Sequence, residues 1–355
     1  MIKSHRFPTY LSIIITAILG LTLLCCKEKS TGNTVAIEYY SVKGETMGTY
    51  YNIKYSDAQS RNLKSQIDSI LIAINQSLST YIPDSYISLI NATQQSEIKT
   101  EADPHFISNY NEAQKVHKKT EGLYDPTIGA MTNYYGFGKD RRVLRENITP
   151  STLDSLKRLV GMDKLTVTST ASQTTITKPV NLQIDFSSIA KGYAVDEISK
   201  FLLEKGCENH LVDIGGDGIA RGVSPTQKDW SIGINKPLEN GSINDFALVI
   251  SVANKGLATS GNYRNFYQAG EKKYAHTINP TTGLPEITTL LSTSVIADNC
   301  MLADAYATAC MVMGLEKSKP LIESMPGIEA CWIHDENQDG ELEMTMSKGF
   351  GEWVK

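Results

Sequence analysis

Extended and helical patterns lie in blocks along this chain rather than in strict alternation, and that grouping limits the architecture more than any single residue does. In the second half, residues 211–214, 218–222, 230–235, 246–252, 274–278 and 290–297 read as strands, and 329–334 and 341–347 close the series. Successive strands with no crossover helix between them pair antiparallel, because parallel neighbours need a long return connection. The first half is mainly helical. Leu63, Ile67, Ile70, Leu71, Ile74 and Leu78 recur at helical spacing. A second helix is predicted from Pro104 to near Gly122. A third has Thr149 as N-cap and Pro150 in its first turn, with Leu153, Leu156 and Leu159 or Val160 facing inward. Two more run from Ala190 to Lys205 and from Asn299 to Met313, ended by Gly206 and Gly314, and one short helix precedes the last strands. Residues 47–55 alternate and are predicted as a strand. The expected fold is α+β, a single domain with a mainly antiparallel sheet and packed helices, and 355 residues suffice for a sizeable core.

The N-terminus follows another pattern. Lys3, His5 and Arg6 precede an apolar run from Leu11 to Leu24, and Lys27, Glu28, Lys29 and Ser30 follow it. A run of roughly 14 residues suits a secretory signal core and falls short of the about 20 that span a bilayer. It ends at Cys25-Cys26, and a cysteine in that place becomes the lipidated first residue of a bacterial lipoprotein. Cys26 is favoured, because the smaller Cys25 then stands on the cleaved side in place of Leu24. The division expected is a signal peptide with lipobox over 1–25, a lipid-anchored tether over 26–38 and the folded domain over 39–355. An uncleaved anchor is the alternative, and both arrangements put the domain outside the cytoplasm at a membrane. A net charge of -5 without a long basic run argues against a nucleic-acid partner. After the leader, Cys207, Cys300, Cys310 and Cys331 lack metal or redox spacing and read as small buried hydrophobes, with a disulfide left open.

Several segments carry chemistry, each with a plainer alternative. Asp304 and Thr308 are four apart on an otherwise apolar helix, so both side chains share a face. A carboxylate there is costly unless paired, hydrogen-bonded or holding a metal, and carboxylate plus hydroxyl is a hard-oxygen set that suits Mg²⁺. The alternative is a buried aspartate bonded to backbone amides. Asp185 to Tyr193 passes from a strand over 180–184 into a helix, a junction whose free N–H groups favour anions. Lys191 could meet a phosphate there and Asp185 a base or ribose, unless this is merely a capped helix start with a surface lysine. Residues 212–218 are glycine-rich but lack GxGxxG and read as a tight turn lining a site. His276 has small and polar neighbours, as a general base or a loop-bonding histidine would. The segment Asp335–Gly340 imitates a calcium loop, but its twelfth position is Met346, and a hairpin turn is the better reading.

Taken together and in order, these segments resemble one family across nearly all of the chain after the leader: the FAD:protein FMN transferases, or ApbE lipoproteins. The resemblance rests on Met47-Gly48-Thr49-Tyr50, Leu78-Ser79-Thr80-Tyr81, Gly122-Leu123-Tyr124-Asp125-Pro126-Thr127 and Tyr135-Gly136-Phe137-Gly138. It continues through Ile189-Ala190-Lys191-Gly192-Tyr193, Asp213-Ile214-Gly215-Gly216-Asp217, Thr259-Ser260-Gly261, the His276 segment and Ala303-Asp304-Ala305-Tyr306-Ala307-Thr308. By position it implies that Met47, Tyr81, Leu123, Tyr124, Asp125, Asp185, Lys191 and Ile278 contact the flavin nucleotide. It implies Ser188, Asp304 and Thr308 as magnesium ligands, and His276 as the base that deprotonates an acceptor threonine or serine. The implied reaction moves FMN from FAD, the substrate, to an acceptor flavoprotein and releases AMP. The implied acceptors are membrane electron-transport subunits of the Nqr (Na⁺-translocating NADH:quinone reductase) or Rnf type. An FAD pyrophosphatase or a non-catalytic flavin-binding lipoprotein stands as the alternative. Tyr86, Ser187-Ser188, Asn262 and Asn279 depart from the family's usual residues, which bears on metal number and affinity.

Overall fold

Strand β2 (Thr49–Ser56) shows why the sheet forms. Tyr51, Ile53 and Tyr55 are buried while Asn52 and Lys54 stay exposed, the period-two pattern of a strand with one face on a core. The computed structural model describes residues 38–138, 148–238, 241–242, 244–262, 266–269, 272–275, 277–286 and 289–355. Strand β1 (Tyr39–Thr46) pairs with β2 antiparallel along its whole length, and Met47-Gly48 forms the connecting turn with φ of 51° and 72°. The strand expected to begin at Met47 therefore begins at Thr49.

Helices α1 (Lys64–Leu78), α2 (Tyr86–Ala92), α3 (Pro104–Lys119), α4 (Gly129–Tyr134) and α5 (Pro150–Arg158) follow, with β3 (Glu97–Glu101), β4 (Thr166–Ser169) and β5 (Gln173–Thr177) making a separate three-stranded sheet. The N-caps of α3 and α5 are side chains: Asp103 accepts from Phe106 N–H and Thr149 from Thr152 N–H, each with proline in the first turn. Leu153, Leu156 and Leu159 are only half-buried, because α5 lies at the rim of a small satellite cluster around Met131, Tyr135 and Ile278.

Then come α6 (Ala190–Glu204), β6 (His210–Ile214), β7 (Asp217–Arg221), β8 (Trp230–Asn235), β9 (Phe246–Val252) and β10 (Lys255–Gly261). After the hairpin of β11 (Phe266–Ala269) and β12 (Lys272–Ala275), the chain ends in β13 (Leu290–Ala297), α7 (Cys300–Glu323), β14 (Glu329–His334) and β15 (Glu343–Met346). The main sheet runs β1-β2-β6-β7-β10-β13-β14-β15, every neighbour antiparallel. Alternate residues of its central strands serve two cores. Ala258, Val295 and Ala330 face α1, α6 and α7, while Leu257, Ile296 and Cys331 face the β8–β9 hairpin through Trp230, Ile250 and Val252. Gly314, at φ 73° and ψ 171°, breaks α7 where the sequence predicts a helix end and a second short helix.

The structure corrects two expected elements. The strand expected over 274–278 is β12, which ends at Ala275, with Ile278 making only an isolated bridge to Pro285. Residues 180–184 form no strand; Gln183 makes a single bridge to Ile128. The apolar alternation is real, since Leu182 and Ile184 are buried, but the segment is a loop held from outside. The buried Lys178 ammonium donates to the carbonyls of Val180 and Leu182, and the Asn91 side chain bonds both the N–H and the C=O of Ile184. Cys207, Cys300, Cys310 and Cys331 are buried free thiols, and burial pushes Cys310 and Cys331 up to about 12. No helix of the described residues is long and apolar enough to cross a membrane.

Candidate active site

The loop that enters α6 is closed by Asp185, whose Oδ1 accepts from Ser187 N–H at 2.8 Å, while its own N–H donates to Pro126 O at 2.7 Å. Burial raises the Asp185 carboxyl above its ordinary range. Lys191 follows in the first turn of α6, and its ammonium forms an ion pair with Asp217 Oδ2. Asp217 opens β7 straight after Gly215-Gly216, whose φ of 61° and 96° make the β6–β7 turn. It is 1% exposed, and its second oxygen accepts from Thr259 N–H at 3.1 Å. In sequence Asp217 belongs to a glycine-rich turn, and nothing local marks a partner 26 residues away.

Asp304 reaches the same place from α7, where its Oδ2 accepts from Gly192 N–H at 3.0 Å. That bond needs the two helices in near contact. A Cβ on Gly192 would lie 2.8 Å from Met301 Cα, and one on Gly256 of β10 would lie 2.6 Å from Cys300 Cα. Burial first, and then the charge of Asp217, raise the Asp304 carboxyl well above its ordinary range. For Lys191, burial opposes the charge, but Asp217 and Asp304 together hold the ammonium above its usual value. Thr308 lies one turn further along α7, with its hydroxyl 3.1 Å from that of Ser260. Ser188 donates to the Tyr124 hydroxyl at 2.9 Å, and burial raises that phenol strongly. At the rim, burial pushes Asp213 up to about 6 although Gly216 N–H donates to it.

These groups offer hard oxygen donors and few of them. Among the described residues no cluster of three or more His, Cys, Asp or Glu could enclose a metal. A single buried carboxylate backed by hydroxyls fits Mg²⁺, which keeps most of its shell for water and substrate phosphates. The set fits zinc poorly.

The other residues expected at the site lie in the β1–β2 turn, along two cavities and in the Asp125 loop, and neither cavity is lined by Lys191, Asp217 or Asp304. Met47 sits half-buried in the β1–β2 turn, and Tyr81 is 57% exposed. Leu123 lines a cavity of about 180 Å³ with Asn279, Met311, Val312 and Lys317. Ile278, next to Asn279 in sequence, is buried and bridges to Pro285. Asp185 lines a second cavity of about 220 Å³ with Thr80, Ser88, Asn91 and Gln183. Asp125 turns inward. Its oxygens accept from Thr127 N–H at 2.8 Å, Thr127 hydroxyl at 2.6 Å and Met162 N–H at 3.2 Å, and His117 Nδ1 is 3.6 Å away. His117, which no sequence motif marks, also bonds Tyr124 O at 2.8 Å and so braces this loop. Asn262 accepts from the Thr277 hydroxyl and Asn279 donates to Glu286, so both asparagines bond within their own loop region. His276 and Cys26 lie outside the described residues.

A lysine paired with one buried aspartate at a helix start, with a second buried aspartate bonded to the backbone of the next residue, suits a phosphate-bearing ligand on this antiparallel α+β scaffold. The ApbE family profile matches residues 47–332. The chain belongs to the ApbE family. It is 34% identical over 319 residues to the FAD:protein FMN transferase of Haemophilus influenzae, covering 88% of this chain and 90% of that one. With the protein of the same name from Escherichia coli strain K12 it shares 32% identity over 306 residues, 84% of this chain and 85% of the other. In structure it is similar to the flavin transferase ApbE from Vibrio cholerae, with a TM-score of 0.78 and 31% identity over 89% of this chain and 99% of that one. The apo flavinyl transferase ApbE of Pseudomonas stutzeri gives a TM-score of 0.79 and 29% identity over 89% and 97%.

Proposed function

We infer that the chain is an FAD:protein FMN transferase, which moves FMN from FAD to a threonine or serine hydroxyl of an acceptor flavoprotein and releases AMP. The observation that carries this reading is the meeting of Lys191, Asp217 and Asp304 at the start of α6, on a chain that matches proteins named for this reaction over most of its length. Lys191 donates to the pyrophosphate. Met47, Tyr81, Leu123, Tyr124 and Ile278 wall the flavin, and Asp125 and Asp185 hold the loops that present it. Bound among Ser188, Asp304 and Thr308, Mg²⁺ would supply positive charge against the phosphate oxygens. The acceptor oxygen forms the new bond to the FMN phosphorus as the bond to AMP breaks, and His276 takes the hydroxyl proton. Phosphoryl transfer of this kind needs mainly positioning and charge neutralisation. The test is to incubate purified protein with FAD, Mg²⁺ and an acceptor subunit of the Nqr or Rnf type, the acceptors we propose. A fluorescent flavin adduct that survives denaturation is expected. Free FMN and AMP without adduct would favour a pyrophosphatase, and unchanged FAD a binding protein. His276→Ala should retain FAD but slow transfer by about 10²–10⁴-fold; a wild-type rate removes His276 from the mechanism.

We further propose that the domain is lipid-anchored through Cys26 on the extracytoplasmic side, on the strength of the apolar run that ends at Cys25-Cys26. Replacing both cysteines by serine should release the protein from membranes or leave an unprocessed precursor. Mature protein still on the membrane would refute the anchor.

A further inference from the structure

We propose that Asp217 is a positioning residue whose task is to hold Lys191 beside the Asp304 carboxylate instead of on it, leaving that carboxylate open to a divalent cation. The inference rests on the reading of Asp304 as the metal carboxylate. Lys191 has two anionic neighbours to choose between. Its backbone is tied to Asp304, since the N–H of the very next residue, Gly192, donates to Asp304 Oδ2 at 3.0 Å. Both carboxylates raise its ammonium, so the lysine lies within the field of each. Yet among the described residues its ion pair is with Asp217 alone. A lysine stem has four rotatable carbons, and nothing in its own chemistry prefers one carboxylate to the other.

Asp217 is built to decide that choice. It is 1% exposed, and its second oxygen is fixed by Thr259 N–H of β10, so its position follows from strand register and not from the lysine. A lysine released from it would have Asp304 as its remaining partner. Ammonium and metal would then compete for one buried carboxylate. Held on Asp217, the ammonium and a cation at Asp304 instead stand side by side, as two positive groups facing one pyrophosphate.

The experiment measures Mg²⁺ binding by calorimetry on the purified full chain without FAD, for wild type, D217N, K191M, the double variant D217N/K191M and D304N. D217N is expected to weaken Mg²⁺ by about tenfold or more, the scale of one nearby charge pair. In the K191M background the same change should cost less than about threefold, because no lysine remains to move. Equal costs in the two backgrounds would overturn the proposal and leave Asp217 a simple contributor of charge or fold. An unchanged affinity in D217N would overturn it too. Should D217N fail to fold, Lys191→Arg asks the same question, since a guanidinium has five donors and can pair with a second carboxylate while keeping the first. It should weaken Mg²⁺ by a similar factor, and wild-type affinity would count against the proposal. A wild type that binds no Mg²⁺, or a D304N variant that binds it as tightly, refutes the metal reading itself.

Discussion

Asp304 carries one negative charge into an apolar helix face and receives a single backbone N–H there, from Gly192. Asp304→Asn preserves the volume and leaves an oxygen for that N–H while deleting the charge. The fold should survive, with transfer down by about two orders of magnitude, the rate equivalent of about 2.7 kcal/mol of metal charge stabilisation. Raised Mg²⁺ should restore part of it. Normal turnover at limiting Mg²⁺ would place the metal elsewhere, and failure to fold would make Asp304 structural. Residues of this kind were legible because a four-residue step on a helix is visible in sequence, so Asp304 and Thr308 could be paired in advance. Asp217 was not, because its pairing with Lys191 and Thr259 depends on how β7 and β10 register, which no local pattern encodes. Asp125 shows the opposite limit. The motif points to a ligand residue, and the structure adds a bracing role that the motif does not announce, with Oδ1 accepting from Thr127 in its own loop and Oδ2 from the distant Met162 N–H.

At the scale of elements, α6 grips the start of α7. Asp196 Oδ1 and Oδ2 accept from Cys300 N–H at 2.9 Å and Met301 N–H at 2.8 Å, and Asn299 caps Leu302 N–H, so three of the free amides of α7 are satisfied. Burial nonetheless pushes the Asp196 carboxyl up to about 6, with Arg221 opposing and Glu197 adding to the shift. The folded protein therefore binds this proton more tightly than the unfolded chain does. Its stabilising share is complete below the ordinary value of 3.8 and is lost as pH rises through about 6. Asp196→Asn removes that dependence. Melting temperatures of wild type and D196N should differ most in favour of wild type near pH 4.5, and the gap should narrow toward pH 7.5. A gap constant over that range would show that Asp196 does not titrate in the fold. Helices with caps and strong periodicity, such as α3 and α5, were readable from sequence. Strand β10, with the sequence KGLATSG, was not, because its small residues answer to the crossing of α7 and not to strand preference. Residues 180–184 misled for the converse reason, since a loop pressed on a core buries alternate residues just as a strand does.

For the whole molecule, the informative boundary is where the sheet starts. The family match begins at Met47, but β1 precedes it and is integral to the sheet. It pairs with β2 over eight residues and buries Val42. Tyr40 stacks on Tyr55 at 5.8 Å, Tyr39 donates to Val223 O at 2.6 Å, and the Thr46 hydroxyl accepts from Asn75 at 2.9 Å. A protein trimmed to the match would expose the β2 edge and lose these ties to α1 and to the β7–β8 connection. One buried valine accounts for about 1.5–3 kcal/mol, and the ladder and ring contact add to that. A chain starting at Met47 should therefore melt on the order of 10 °C below one starting at Glu38, at about 2–4 °C per kcal/mol for a domain approaching this size. The unpaired edge should also make it prone to self-association. The chain starting at Glu38 keeps β1 and every described residue of the site, so it should transfer FMN to a soluble acceptor as the full-length protein does. Thermal melting and size-exclusion chromatography of the two chains decide the matter. Equal melting temperatures would mean that β1 is an ornament on the sheet edge, and the sheet proper would then begin with β2.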